Sequence, residues 1–209
     1  MDLPDPPVLV ISDRSQAPRP LLDIAEAAFA GGCRWFSLRE KDLPPAERGE
    51  LLAALVRLGH RFGATVMAHE DIETVAKAGA GGVHLPARGD PRTARLRLPG
   101  ALIGASAHSG LEAASLLRGG ADYVTVSPVF LSASKPGYGP ALGLDGLAAI
   151  VAQAAGPVVA LGGIAPDKVA ICRAAGASGI AVMGEAMRAA DPRAMIERFV
   201  QALLVGSAS

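Results

Sequence analysis

Four times this chain sets a small-residue turn directly before an apolar run: AGGCRWFSL, AGAGGVHL, GGADYVTV and AAGASGIAV. These turns introduce the second, fourth, sixth and eighth of eight short runs. The runs are VLVIS (8–12), RWFSL (34–38), TVMAH (65–69), GVHL (82–85), LIGAS (102–106), DYVTVS (122–127), VVALG (158–162) and GIAVM (179–183). Between them lie helical stretches near 20–30, 44–61, 71–79, 91–97, 110–118, 143–154, 166–175 and 185–204. Short continuous apolar runs alternating with amphipathic helices are the pattern of a parallel sheet buried on both faces. Eight such units, repeated pairwise, predict a single-domain (β/α)8 TIM barrel spanning residues 1–209. Glycine before a strand has a physical reason: it closes the preceding helix in a left-handed cap and lets helix approach strand. A doubly wound open sheet is the alternative. It would place a phosphate-binding glycine fingerprint after the first strand, and VLVISDRSQAP contains no glycine.

Half of the 209 residues are hydrophobic and 19% are charged, enough for one sizeable core and too apolar for extensive disorder. Twenty basic residues balance twenty acidic ones. That balance supplies no global field for nucleic acid or an anionic membrane, though a local anion site remains open. Cys33 and Cys172 have neither metal-ligand spacing nor thioredoxin-like pairing, which favours a reducing setting. MDLPDPPVLV lacks a basic start and a long apolar stretch, so the expectation is a cytoplasmic protein. A homo-oligomer is compatible with all of this.

Function in a barrel concentrates where the strands end. Those ends collect Ser12, Asp13, Arg14, Arg39, Glu40, Lys41, His69, Glu70, Asp71, His84, Ser106 and His108. They also bring the SASKPGYGP loop with Lys135, and Gly162, Gly163 and Gly184. In LREK, Arg39 and Lys41 straddle Glu40 and point to one side of an extended chain; with Lys135 they form a clamp for phosphate oxygens. The competing reading is a solvated turn in which Glu40 pairs with a neighbour. LGGIAPDK (161–168) and VMGEA (182–186) set glycines after the seventh and eighth strands, the usual place of a phosphate cradle in this fold. Tight turns would explain them more blandly. Glu70 and Asp90 are candidates to share one Mg2+, or simply to answer nearby arginines. His108 is a candidate general acid/base, with a satisfied core or capping histidine as competitor. His84 reads as structural, and Trp35 and Phe36 as packing residues.

The chain resembles the thiamine-phosphate synthase/TenI family. The resemblance runs in order through LVISDR, FSLREK, GGVHLP, GASAHS, ADYVTVSPVF, SASKPGYGP, VVALGGIAPDK and GIAVMGEA. It implies a (β/α)8 barrel and one of two activities. The synthase joins hydroxymethylpyrimidine diphosphate to thiazole phosphate, releasing pyrophosphate with the help of Mg2+. The tautomerase moves a proton on a thiazole phosphate carboxylate and requires no metal. Carried over by motif, Arg39, Lys41 and Lys135 fall on pyrophosphate-contacting positions. Ser132 and Ser134 stand where thiazole-contacting threonines are common, and Gly162, Gly163 and Gly184 on the thiazole-phosphate cradle; Ser106 joins the substrate-binding set.

The departures are specific. Ser37 stands where synthases carry a pyrimidine-reading glutamine. His69, Glu70 and Asp71 replace Asn-Asp-Arg, and PARGD places Asp90 one position late. SAHS with His108 and the SKPGYGP ending resemble tautomerase members. The resulting expectation is a thiazole tautomerase-like isomerase using His108 and Lys135, with a thiamine-phosphate synthase as the alternative. A non-catalytic thiazole or thiamine phosphate sensor is the reading from another class.

Overall fold

The computed structural model describes residues 1–131 and 140–205. Eight parallel strands close into a barrel in chain order. They are β1 (Val8–Ile11), β2 (Trp35–Leu38), β3 (Thr65–His69), β4 (Gly82–Leu85), β5 (Leu102–Ala107), β6 (Tyr123–Val126), β7 (Val158–Leu161) and β8 (Gly179–Val182). The ring is completed where Leu9 pairs with Ala181 across β1 and β8. The open-sheet alternative is thereby excluded.

Helices return the chain between strands. They are α1 (Leu21–Ala30), α2 (Pro45–His60), α3 (Ile72–Ala78), α4 (Pro91–Arg97), α5 (Gly110–Arg118), α6 (Gly143–Ala154), α7 (Val169–Ala174), α8 (Gly184–Met187) and α9 (Pro192–Val205). The boundaries follow capping chemistry. Asp71, Asp90 and Ser109 accept backbone N–H bonds at the starts of α3, α4 and α5. Gly79 ends α3 at φ 63°, as the small-residue turns require. One expectation fails: residues 185–204 form two helices, α8 and α9. Proline cannot sit inside a helix without losing a bond and clashing with the preceding turn. The chain therefore restarts at Pro192, with Asp191 Oδ1 accepting the Ala194 N–H at 3.0 Å.

Strand alternation sorts the core into two parts. Val8, Val10, Phe36, Leu38, Val66, Ala68, Val83 and their counterparts pack outward against the helices. Leu9, Ile11, Trp35, Met67, Leu102, Tyr123, Val159 and Ala181 form the cluster inside the barrel. Trp35 and Tyr123 meet edge to face at 4.7 Å between ring centroids. Space for them comes from glycine: a Cβ on Gly104 would lie 2.1 Å from Tyr123 Cζ.

Gly104→Ala therefore forces the Tyr123 ring out of its position. An overpacked core costs about 1–3 kcal/mol, and this contact places the variant at the upper end. The expected outcome is a lower urea midpoint with an unchanged slope. Wild-type stability would show that the ring yields freely.

Candidate functional site

The C-terminal ends of the strands bring the candidate residues together through the backbone. Ser12, directly after β1, is fully buried. Its N–H donates to Ser37 O at 3.0 Å, and its Oγ accepts the Arg39 N–H at 2.8 Å. Glu40 turns inward, 2% exposed, and accepts the Arg14 N–H on both oxygens at 3.1 and 3.2 Å. Glu40 does pair with a neighbour, as the bland reading of LREK held. The pairing is not a solvated turn, however: it ties the β1 loop to the β2 loop.

Arg39 and Lys41 line one cleft of about 450 Å³ together with Arg48, His69, Glu70 and Asp71. Most of its charges are matched. Lys41 pairs with Glu70, and Arg48 with Asp71 at 3.0 Å. Arg39 makes no ion pair among the described residues, and its charge bears on Asp13 and His84. An unmatched guanidinium at the mouth of a barrel is a ready partner for an anion. Glu70 adopts φ 69°, the left-handed region that costs a non-glycine residue on the order of 1–3 kcal/mol. Its N–H, donated to His84 O at 2.9 Å, holds it there.

Across β6 and β7 the glycines meet their expected demand. Gly162 and Gly163 sit at φ 99° and 64°. A Cβ on Gly162 would lie 2.9 Å from Pro128 Cα, and one on Gly163 would lie 2.5 Å from Leu131 O. The stem of the β6 loop is laced to this turn. Val129 N–H donates to Leu161 O and Phe130 N–H to Gly162 O. Lys168 Nζ donates to Gly163 O at 3.0 Å while lying over the Phe130 ring. The N–H groups of Gly162 and Gly163 find no acceptor among the described residues, which leaves them for an anion. Gly184 is buried as the first residue of α8. Ser132, Ser134 and Lys135 lie outside the described residues.

Ser106, at the end of β5, lies 3.1 Å from His84 Nε2. His108 follows β5, its side chain 49% exposed and Nδ1 3.4 Å from Glu112 Oε2. Its own N–H donates to that carboxylate at 2.7 Å, while Ser109 caps α5. His108 thus lies just before the cap of α5, which is Ser109, and is neither a core nor a capping histidine.

The two carboxylates assigned to Mg2+ differ. Both Asp90 oxygens serve the start of α4, accepting from Arg92 N–H at 3.0 Å and Thr93 Oγ1 at 2.6 Å. Its hydrogen bond from Thr93 holds its carboxyl below the usual range. Glu70 is exposed, and its ion pair with Lys41 is of the surface kind that contributes little. Among the described residues no group of three or more His, Cys, Asp or Glu could hold a metal ion. Mg2+ needs only one or two protein carboxylates when phosphates supply further ligands. Glu70 fits that requirement; Asp90, committed to its cap, does not.

Two contributors escaped the sequence reading. Arg48 reaches the cleft from α2, and Tyr123 reaches His84 from β6 at 3.1 Å. Neither lies within a recognisable spacing of its partner. Only the inward position of Tyr123 in DYVTVS hinted at its place.

Comparison with known proteins places the whole arrangement. A family model described as thiamine monophosphate synthase matches residues 8–186. A Geobacter sulfurreducens relative, provisionally named a thiamine-phosphate synthase, is 42% identical over 187 residues, 88% of each chain. The thiamine-phosphate synthase of Moorella thermoacetica is 36% identical over 192 residues, 91% of each. The solved structure of thiamine phosphate pyrophosphorylase from Pyrococcus furiosus superposes with a TM-score of 0.85 at 30% identity, covering 95% of this chain and 96% of that one.

Asp71 offers a direct check on the cleft's electrostatics. Burial pushes its carboxyl up, but hydrogen bonds from Thr74 and Arg48 outweigh this and hold it below the ordinary 3.8. A depressed carboxyl stabilises the fold above its unfolded pKa of about 3.9, and that contribution is lost as pH falls through the folded value. Asp71→Asn keeps a capping side chain and removes the charge. The variant should be less stable than wild type at neutral pH and lose less on acidification, as read by urea midpoints. Parallel pH curves would disprove the assignment.

Proposed function

This chain is an enzyme belonging to the thiamine monophosphate synthase family, and we propose that it is a thiamine-phosphate synthase. The observation that carries this reading is that relatives matched over about nine-tenths of both chains are named for that reaction. The tautomerase preference gives way accordingly. It rested on His108, whose imidazole lies against Glu112 at the start of α5, and on the SKPGYGP ending, of which only Pro140 is among the described residues.

In the proposed reaction the thiazole nitrogen forms a bond to the pyrimidine methylene carbon. The bond from that carbon to the diphosphate oxygen breaks, and pyrophosphate leaves with the electron pair. Negative charge grows on the leaving group and positive charge on the pyrimidine, so catalysis consists largely of fixed cations and donors at the leaving oxygens. Arg39 is unmatched among the described residues and is free for that task; Lys41 joins it by exchanging its Glu70 partner for phosphate. Gly162, Gly163 and Gly184 receive the thiazole phosphate on backbone N–H groups. Ser132, Ser134 and Lys135 complete the contacts by resemblance. Glu70 would hold Mg2+, which when bound supplies further charge neutralisation at the pyrophosphate.

The test is to incubate the protein with pyrimidine diphosphate, thiazole phosphate and Mg2+ and to follow pyrophosphate. Steady release is expected. Arg39→Ala should lower kcat/KM by about 100-fold, the scale of losing one transition-state donor, whereas His108→Ala should leave it unchanged. Isomerisation of a thiazole carboxylate without pyrophosphate release, abolished by His108→Ala, would replace the synthase reading.

A further inference from the structure

One buried titratable group has no task in this mechanism. His84 lies in β4, 2% exposed, and burial together with the Arg39 charge pushes its imidazole down to about 3. A neutral imidazole has one donor nitrogen and one acceptor nitrogen, and its partners decide which is which. Nδ1 is 3.1 Å from Tyr123 Oη. Nε2 is 3.1 Å from Ser106 Oγ and 3.3 Å from Thr125 Oγ1.

The tyrosine sets the direction. Burial raises its pKa well above the ordinary value, so the phenol keeps its proton. That proton has two acceptors within reach, His84 Nδ1 and Met67 Sδ at 3.5 Å. The sulfur already receives the Trp35 Nε1–H at 3.0 Å, and a thioether is a weak acceptor beside an imidazole nitrogen. The phenol therefore donates to Nδ1. Nε2 must then carry the hydrogen and donate it to Ser106 Oγ, with Thr125 as the longer second contact.

Ser106 is the half-buried member at the end of this chain; Tyr123, His84 and Thr125 are buried. With its oxygen accepting from the imidazole, its own O–H is left for a partner in the mouth. The Arg39 charge bears on the same imidazole. A hydroxyl hydrogen with no acceptor among the described residues is what an anion requires.

We propose that His84 is a positioning residue: held by the Tyr123 hydroxyl, it donates from Nε2 to Ser106 Oγ and turns the Ser106 hydrogen toward the oxygens of the leaving pyrophosphate. The identity of that anion rests on the synthase reading; the direction of the relay does not.

Two measurements test it. In histidine-15N-labelled protein, the His84 ring signals are those missing from His84→Gln. They should show Nε2 protonated and Nδ1 bare at neutral pH. The opposite tautomer or an imidazolium overturns the proposal; the variant serves only to assign the signals, and the state itself is read on the unaltered protein. The second measurement is calorimetric binding of inorganic pyrophosphate, alongside kcat and KM. His84→Leu should weaken pyrophosphate binding about tenfold, the scale of one hydrogen bond to a charged group. His84→Gln, whose amide N–H can take the place of Nε2–H, should restore most of it. In a Ser106→Ala background His84→Leu should change nothing further. Additive effects in that cycle, or no rescue by glutamine, overturn the proposal. The synthase reading fails separately: the binding pattern would then hold in a protein that releases no pyrophosphate from the two substrates.

Discussion

Closure of the parallel ladder between β1 and β8 is the constraint on which everything else in this molecule depends. Once the ring closes, every strand residue faces either the helices or a narrow interior, and that interior must be filled with side chains. Trp35, Met67, Leu102 and Tyr123 fill its lower part. Gly104 is the concession that admits the Tyr123 ring. Closure also gathers eight loop starts at one rim, so residues scattered from Ser12 to Gly184 become neighbours around a common mouth.

At that mouth the charge distribution is more informative than the charge count. Lys41, Arg48 and Arg14 each have a carboxylate partner, and Glu40 is buried to hold the first two loops together. Arg39 is left over among the described residues, with its charge felt as far as His84. The β6 and β7 loops offer the complementary device, backbone N–H groups in glycine turns that pack too closely on Pro128 and Leu131 for any side chain. Cation on one side and bare amides on another are what the proposed function draws on, and neither requires a strongly basic protein. Under that proposal a chain of zero formal net charge can serve anionic substrates.

The strands and most helices were legible because their signals are local. Eight apolar runs, capping residues such as Asp71 and Ser109, and left-handed glycines all act within a few residues of themselves. The break before α9 was missed, although Pro192 marks it, because residues 185–204 read as one helical stretch. The site was half legible. LREK, the glycine turns and Ser106 were recognisable as candidates, whereas Asp90 was assigned to metal and instead serves the cap of α4. Sequence spacing cannot tell an acid that caps a helix from one that faces a ligand, since both follow a strand and precede a helix.

By itself the sequence determined the architecture and the family. Two-face burial of eight short strands admits few alternatives, and the motifs occur in order along nearly the whole chain. What tertiary structure alone decided is which polar groups are already matched. Glu40, Arg48 and Tyr123 find partners 26, 23 and 39 positions away, distances over which no local pattern carries information. The state of His84 is the clearest instance. A histidine in a strand can be charged, neutral or metal-bound on paper; only a closed, buried interior with a phenol on one nitrogen and a serine on the other makes it a neutral donor.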